Sequence, residues 1–141
     1  MLAAARLVGT RRFIAQSFCG WPFAREGGPV KTEEDPLDPN PPASFSKTLA
    51  AIRYLENTVQ SSVDVQALAL RYGILYGPGT GIAQDGAIVE LVRKRRMLIV
   101  GDGGVSMITK IRGGSNAKAK RAFGWQPIYP SWRRGFVEGL G

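Results

Sequence analysis

Three closely spaced glycines in the stretch LRYGILYGPGTG (70–81) are the first residues whose types could do chemistry. A dinucleotide-binding loop needs G-x-G-x-x-G between a strand and a helix, where backbone N–H groups face the pyrophosphate. Here Gly77 and Gly79 fit the first two glycines of that pattern, but the third is missing, because Gly81 comes one residue too early. Pro78 also removes an N–H donor. The stretch also lacks the G-K-[ST] sequence of a P-loop. By itself it therefore predicts a turn.

The basic run RKRR at 93–96 is a second group that could do chemistry. Guanidinium groups bind phosphate through paired hydrogen bonds, so Arg93, Arg95 and Arg96 could contact a substrate diphosphate. The alternative is a solvated helix end whose positive charge complements the C-terminal end of the helix dipole. The sequence leaves both interpretations open.

The charge and composition of the chain exclude several classes of site. Among 141 residues, 19 Lys and Arg stand against 11 Asp and Glu, which gives a net charge of +8. Such an excess can attract a polyanion. No helix-turn-helix, RNA-recognition or zinc-finger signature accompanies it, so a nucleic-acid partner is not expected. With no histidine and a single cysteine, Cys19, the sequence predicts neither a metal site nor a disulfide.

Two features bear on where the protein resides. No apolar run approaches the roughly 20 residues that span a bilayer, so we expect no membrane association. The one cysteine fits a reducing compartment, and we predict a cytoplasmic location. The first residues, MLAAARLVGTRRF, have the composition of a mitochondrial transit peptide. We interpret them instead as a helix over 2–8 that leads into a strand.

Strands that alternate with helices must position these residues, and this pattern predicts an α/β fold with a parallel sheet. Apolar runs predict strands at 12–16 and 65–71, the first of them buried on both faces. Between the strands lie a long loop rich in proline and acids (20–43) and a helix whose apolar residues recur over 45–59. Further helices follow, the last of them around Trp132. The polar residues expected at helix starts are Ser44, Asp85 and Ser115.

Five stretches in order resemble the NAD(P)-dependent epimerase/dehydratase family, the extended short-chain dehydrogenases. LRYGILYGPG resembles the family's strand and loop LR…VYGPG, and AARLVGTRRFIAQSF is similar to its helix and strand ending in RFV…SS. KTEEDPLDPNPPASFSKTLAAIRYLE looks like its acidic, proline-rich loop and the helix that carries Tyr-x-x-x-Lys. VELVRKRRMLIVGDGG and SNAKAKRAFGWQPIYPSWRRGF are similar to its GDG turn and its carboxy-terminal AKRELGW.P segment.

The resemblance implies a partial Rossmann-like parallel sheet with flanking helices over 1–81. Over 82–141 it implies a reduced substrate domain and helical C-terminal portion. It also implies NAD or NADP as cofactor, a nucleotide-sugar-like substrate, and homodimerisation through the 45–59 helix. The family's activity would be that of an epimerase, dehydratase or reductase.

Parts of the family pattern are absent from the chain. The glycine-rich loop and the ribose-binding acid do not occur, and the family carries an additional block between Gly104 and Val105. We therefore expect a truncated, catalytically impaired member that does not bind NAD(P) alone. The alternative is a small basic binding module, without enzymatic activity, for a polyanion or a partner protein.

The catalytic positions also depart from the family pattern, in which Ser/Thr, Tyr and Lys cooperate. Ser44 and Thr48 occupy the Tyr and Lys positions. Lys47 is one residue from the Lys position, so on a helix it points about 100° away from the required direction. The strand-end Ser/Thr corresponds to Ser17 or, in a stricter register, to Phe18. The other interpretation of Ser17 is a strand-end hydroxyl that is satisfied by the backbone.

Tyr72 and Tyr76 are the candidates for cofactor contact. They line the loop where the family holds the nicotinamide and the substrate, although both could simply pack against neighbours. The family often places Asn nearby, whereas this chain has Ile74, which offers no side-chain hydrogen bond.

Overall fold

A computed structural model of the chain describes residues 1–97, 105 and 109–138. The described residues form two compact units. The first contains 1–73, 105 and 109–114, and the second contains 74–97 and 115–138. The predicted GDG turn (101–103) and residues 139–141 lie outside the described residues.

A crossover between parallel strands organises the first unit. After helix α1 (Leu2–Leu7), strand β1 (Arg12–Phe18) leads through a loop to helix α2 (Ala43–Gln60) and then to strand β3 (Gln66–Tyr72). The strands β1 and β3 pair in parallel, with Arg12 opposite Gln66 and Phe18 opposite Tyr72. A second small parallel sheet joins β2 (Val30–Lys31) to β4 (Gly113–Gly114). The predicted α/β class with parallel strands and flanking helices is confirmed.

Helix α2 covers one face of the β1–β3 sheet. Leu49 is 0% exposed and Val59 is 4% exposed on the helix, and Ala15 is buried on β1. The opposite face is open: Ile14 is 64% exposed, and Leu68, its partner across the two strands, is 41% exposed. The prediction that β1 is buried on both faces is therefore wrong, because no described element packs on the side of Ile14.

Helix α2 begins earlier than predicted. Its first residue is Ala43, and Pro42 stands at the N-cap with an extended backbone (ψ 145°). Proline suits this position because it has no N–H to donate and disfavours a helical conformation in the residue before it, so the helix does not extend towards the N-terminus. Ser44 lies inside the first turn, so its predicted capping role is wrong.

The predicted loop over 20–43 contains regular structure. It includes β2, and Phe23 pairs with Leu37 in an isolated antiparallel bridge. Cations hold it by donating to its main-chain carbonyls: Lys31 Nζ to Glu26 at 2.6 Å, Arg53 to Asp38, and Arg112 to Arg25. The loop is thus ordered by these hydrogen bonds together with the burial of Pro22, Phe23 and Ala24.

The described part of the second unit contains the turn over residues 77–81, called the glycine turn below, and three helices. These are α3 (Ala87–Arg93), α4 (Ala117–Phe123) and α5 (Trp132–Glu138). Gly86, rather than the predicted Asp85, is the N-cap of α3. Gly124 ends α4 in the left-handed conformation (φ 62°), as its predicted stop role requires. The N-cap of α4 is Asn116 rather than Ser115, although Ser115 Oγ accepts a hydrogen bond from the Ala117 N–H.

No helix in the described part of the chain is long and apolar enough to cross a membrane.

Candidate functional site

Ser17 and Arg71 lie opposite each other where β1 and β3 end. Ligands of open α/β sheets bind beyond the carboxyl ends of the parallel strands. Side chains alternate along a strand, and Ser17 and Arg71 both point to the face that α2 covers. This end of the sheet is therefore the candidate site.

A buried carboxylate from α2 joins these two residues. Arg71 donates from Nε to Glu56 Oε1 at 2.8 Å and from Nη2 to Glu56 Oε2 at 2.7 Å. Ser17 Oγ donates to Glu56 Oε1 at 2.6 Å. Glu56 is 4% exposed and Ser17 is 6% exposed. We call Ser17, Glu56 and Arg71 the strand-end cluster.

The electrostatics of the strand-end cluster favour the ionised pair. Burial acts to raise the pKa of Glu56, but the hydrogen bonds from Arg71 and Ser17 outweigh it, and the net pKa is lowered. The same hydrogen bond to Glu56 raises the pKa of Arg71 against the opposing effect of burial. The cluster is thus a charged anchor between the helix and both strands.

This anchor predicts a specific loss of stability in acid. Because the folded pKa of Glu56 is lowered, its stabilising contribution is complete above the ordinary glutamate pKa of about 4.3 and is lost as the pH falls through the folded value. Urea unfolding of the wild type and of Glu56→Gln, at pH 7 and at steps below pH 5, measures this. The stability difference between the two proteins should shrink on acidification. A constant difference would contradict the assigned ion pair.

The hydrogen bond of Ser17 limits what its hydroxyl can do. A hydroxyl has one proton to donate, and here it goes to Glu56. In this arrangement Ser17 can accept a hydrogen bond from a ligand but cannot polarise a carbonyl by donating to it. The partner is a carboxylate, so the alternative in which the backbone satisfies this hydroxyl is wrong. The catalytic role of Ser17 stays a prediction.

Aromatic side chains stand between the end of β1 and the start of α2. Trp21 lies 6.1 Å from the ring of Phe18 and 4.8 Å from that of Phe45.

Ser44 and Thr48, at the family Tyr and Lys positions, are both exposed. With a helical rise of about 1.5 Å per residue, Ser44 is roughly 18 Å along α2 from Glu56, the partner of Ser17. The described contacts therefore do not join Ser17 to either residue.

The two candidate tyrosines belong to different units. Tyr72 ends β3 and is 41% exposed, and its carbonyl accepts a hydrogen bond from the Cys19 N–H at 2.8 Å. Tyr76 lies in the second unit, where its ring is 5.1 Å from that of Phe136. A Cβ on Gly135 would clash with the Tyr76 hydroxyl, so this ring is packed tightly against α5. Cofactor contact by either tyrosine stays a prediction.

Arg93 is the last residue of α3, Arg95 and Arg96 follow the helix, and all three are exposed. Arg93 donates to the Gln84 carbonyl at 2.9 Å and pairs with Glu90 at 3.3 Å. An open cavity of about 750 Å³ lies beside it, between the glycine turn and α3. Arg95 adopts a left-handed backbone (φ 53°) as the helix ends. Substrate contact by Arg93, Arg95 or Arg96 stays a prediction.

Glu56 and Arg71 are not among the site residues predicted from the sequence. A signal was present, because Leu49, Ile52, Glu56 and Val59 are spaced by three and four residues, which places a carboxylate within the apolar stripe of α2. A charged residue on a buried stripe requires a partner.

Within residues 1–97, 105 and 109–138, no group of three or more Cys, Asp or Glu side chains could hold a metal ion.

Comparison with known proteins gives one informative similarity. No family model matches the chain. No solved structure matches it either. The chain is 29% identical over 205 residues to a 3-diazoavenalumate denitrifying reductase from Streptomyces sp., with 96% of this chain and 67% of that protein covered. The alignment is longer than the 141-residue chain, so it includes gaps on the side of this chain. The chain is thus distantly similar to a protein named as a reductase, which indicates an oxidoreductase lineage.

Proposed function

We propose that this chain is a reductase-type relative of the NAD(P)-dependent epimerase/dehydratase family that retains the substrate side of the fold. The observation that carries the proposal is the β1–α2–β3 crossover, with Ser17 and Arg71 level with each other at the carboxyl ends of its parallel strands. The similarity to a Streptomyces reductase supports the lineage. The gaps in that alignment are consistent with an internal block that the family has and this chain lacks.

The glycine turn does not fit a dinucleotide. Strand β3 ends at Tyr72 and α3 begins only at Ala87, so the turn does not join a strand directly to a helix N-terminus. Two of its N–H groups are also engaged internally: Gly77 donates to the Ile82 carbonyl at 2.9 Å and Thr80 to the Gly77 carbonyl at 3.1 Å. The residues present therefore do not hold the pyrophosphate of NAD or NADP, and we assign no hydride-transfer step to this chain.

The proton relay of the family is likewise not supplied. Serine and threonine at 44 and 48 offer neither a phenol nor an ammonium group.

The proposed substrate is a nucleotide-sugar-like molecule. A second copy of the chain would dock on the exposed side of α2, where Tyr54 is 76% exposed.

The purified chain should show no saturable binding of NADH or NADPH in titration calorimetry. The reason is that dinucleotide affinity depends on free N–H donors at a helix N-terminus, and the glycine turn does not lead directly into a helix. A dehydrogenase with an intact glycine-rich loop serves as the positive control. Micromolar binding by this chain would refute the proposed loss of the cofactor site.

A second candidate function is polyanion binding. It is favoured by the exposed Arg95 and Arg96, for which no ion pair is found within the described ranges. Retention on heparin that weakens steeply with salt, and that Arg95→Gln with Arg96→Gln abolishes, would favour this candidate over the reductase-type proposal.

A further inference from the structure

An open cavity in the first unit lies at the amino ends of strands β1 and β3. It measures about 650 Å³ and is lined by Arg11, Arg12, Val63, Asp64 and Gln66. The two strands begin together here, since Arg12 lies opposite Gln66 and the Gln66 N–H donates to the Arg11 carbonyl at 3.1 Å. Cavities that hold small molecules measure about 300–1,000 Å³. This cavity is therefore of the size that accepts a small organic ligand.

The lining of this cavity carries an uncompensated positive charge. Arg11 and Arg12 are exposed, and no ion pair to either is found in the described part of the chain. The acidic residue of the lining, Asp64, is held by Arg6, whose Nε lies 3.6 Å from Asp64 Oδ2. Arg6 also donates from Nη2 to Ser62 Oγ at 3.4 Å. Because the Arg6–Asp64 pair is neutral as a whole, the guanidinium charges of Arg11 and Arg12 remain at the cavity.

The chemistry of the lining favours an anion that also has an organic group. Adjacent arginines repel each other, and an anion between them relieves this repulsion. Guanidinium groups bind phosphate oxygens through paired N–H donors. Beside them, the amide of Gln66 can donate or accept a hydrogen bond, and Val63, which is 90% exposed, offers an apolar surface. Charge, hydrogen-bond donors and apolar surface thus meet in one cavity.

We propose that this cavity binds a small phosphate monoester, whose phosphate pairs with Arg11 and Arg12 and whose organic group contacts Val63 and Gln66. A phosphate monoester carries a charge of about −1.5 to −2 at pH 7, which matches the two guanidinium groups. A nucleic acid is less well matched, because its affinity comes from many phosphate contacts and this cavity includes a carboxylate, that of Asp64.

This site is separate from the strand-end cluster. Arg12 begins β1 and Ser17 lies near its end, and a strand of that length separates them by roughly 16 Å. The inference therefore does not depend on the proposed reductase-type function.

Titration calorimetry of the full chain with phenyl phosphate and phenyl sulfate tests the site, with chloride keeping the ionic strength constant. The two esters share their organic group, but the sulfate ester carries a single negative charge. We expect saturable binding of phenyl phosphate and clearly weaker binding of phenyl sulfate. Because the second pKa of the phosphate is about 6 and arginine stays charged, affinity for phenyl phosphate should fall roughly fourfold between pH 7.5 and pH 5.5. No saturable binding of phenyl phosphate at millimolar concentrations, or equal affinity for both esters, would overturn the proposal.

Matched variants separate this site from a general effect of charge. Arg11→Gln with Arg12→Gln should weaken the binding of phenyl phosphate by about tenfold or more, since it removes both charged donors. Arg95→Gln with Arg96→Gln removes the same charge from exposed residues that do not line the cavity, and should leave the affinity within about twofold. Equal losses in the two double variants would contradict a specific site.

A variant with the opposite expected sign covers the case in which the first double variant does not fold. Asp64→Asn removes the carboxylate from the lining and frees Arg6, so it should strengthen the binding of phenyl phosphate. Unchanged or weaker binding would count against the proposal. Tighter binding of a short DNA oligonucleotide than of phenyl phosphate, lost with Arg11 and Arg12, would assign these arginines to a polyanion instead.

Discussion

Replacing Glu56 by alanine is expected to lower the free energy of unfolding by about 3–5 kcal/mol, the usual cost of removing one partner from a buried ion pair. The variant leaves the Arg71 guanidinium, whose side chain is 18% exposed, without its carboxylate, and it leaves the Ser17 hydroxyl without an acceptor. Both groups are then desolvated with nothing to compensate them. Urea denaturation followed by circular dichroism measures the effect.

The matched control for this variant is Glu90→Ala. Glu90 also pairs with two cations, Arg93 at 3.3 Å and Lys94 at 3.0 Å, but its side chain is 42% exposed. Exposed pairs contribute about 0–1 kcal/mol, so this change should be close to neutral. Equal effects of the two substitutions would show that the strand-end cluster is not buried as described.

The second large effect is expected from Leu49→Ala. Leu49 is 0% exposed where α2 packs on the β1–β3 sheet, so its truncation removes buried methyl groups and leaves a cavity. Such changes cost about 2–5 kcal/mol. The control with the same chemistry is Leu7→Ala in α1, since Leu7 is 89% exposed and its truncation opens no cavity.

Thermal and urea unfolding of both leucine variants should therefore separate clearly, with only Leu49→Ala shifting the midpoint. If the two midpoints moved together, α2 would not be packed against the sheet through Leu49.

The sequence predicted β1, β3 and the helices because their signals are local, whereas the two-residue strands β2 and β4 were not predicted. Apolar spacing over 45–59 is sufficient to identify α2, and Gly124 is sufficient to end α4. The burial of β1 was not predictable in this way. Its run Phe-Ile-Ala is compatible both with a strand covered on two faces and with a strand covered on one. The number of layers that cover a strand depends on the whole chain.

The candidate site shows the same division. The position of Ser17 at the end of a strand follows from local sequence, and the structure places it there. Its partner Glu56 is 39 residues away, and Arg71 meets Glu56 only once β3 is in register with β1. Sequence spacing identifies a carboxylate that needs a partner, but the partner is determined by the pairing of two distant strands.

That pairing has a consequence for how the chain folds. Arg12 lies opposite Gln66, so each β1–β3 contact closes a loop of 54 residues. The length-dependent part of the entropy lost on closing such a loop corresponds to about 3.5 kcal/mol. This cost arises before the β1–β3 ladder and the strand-end cluster can stabilise the fold. Helix α2 needs only local contacts and forms on the microsecond scale. We therefore expect docking of the two strands onto α2 to be the slow step of folding, with a transition state in which residues far apart in sequence first meet.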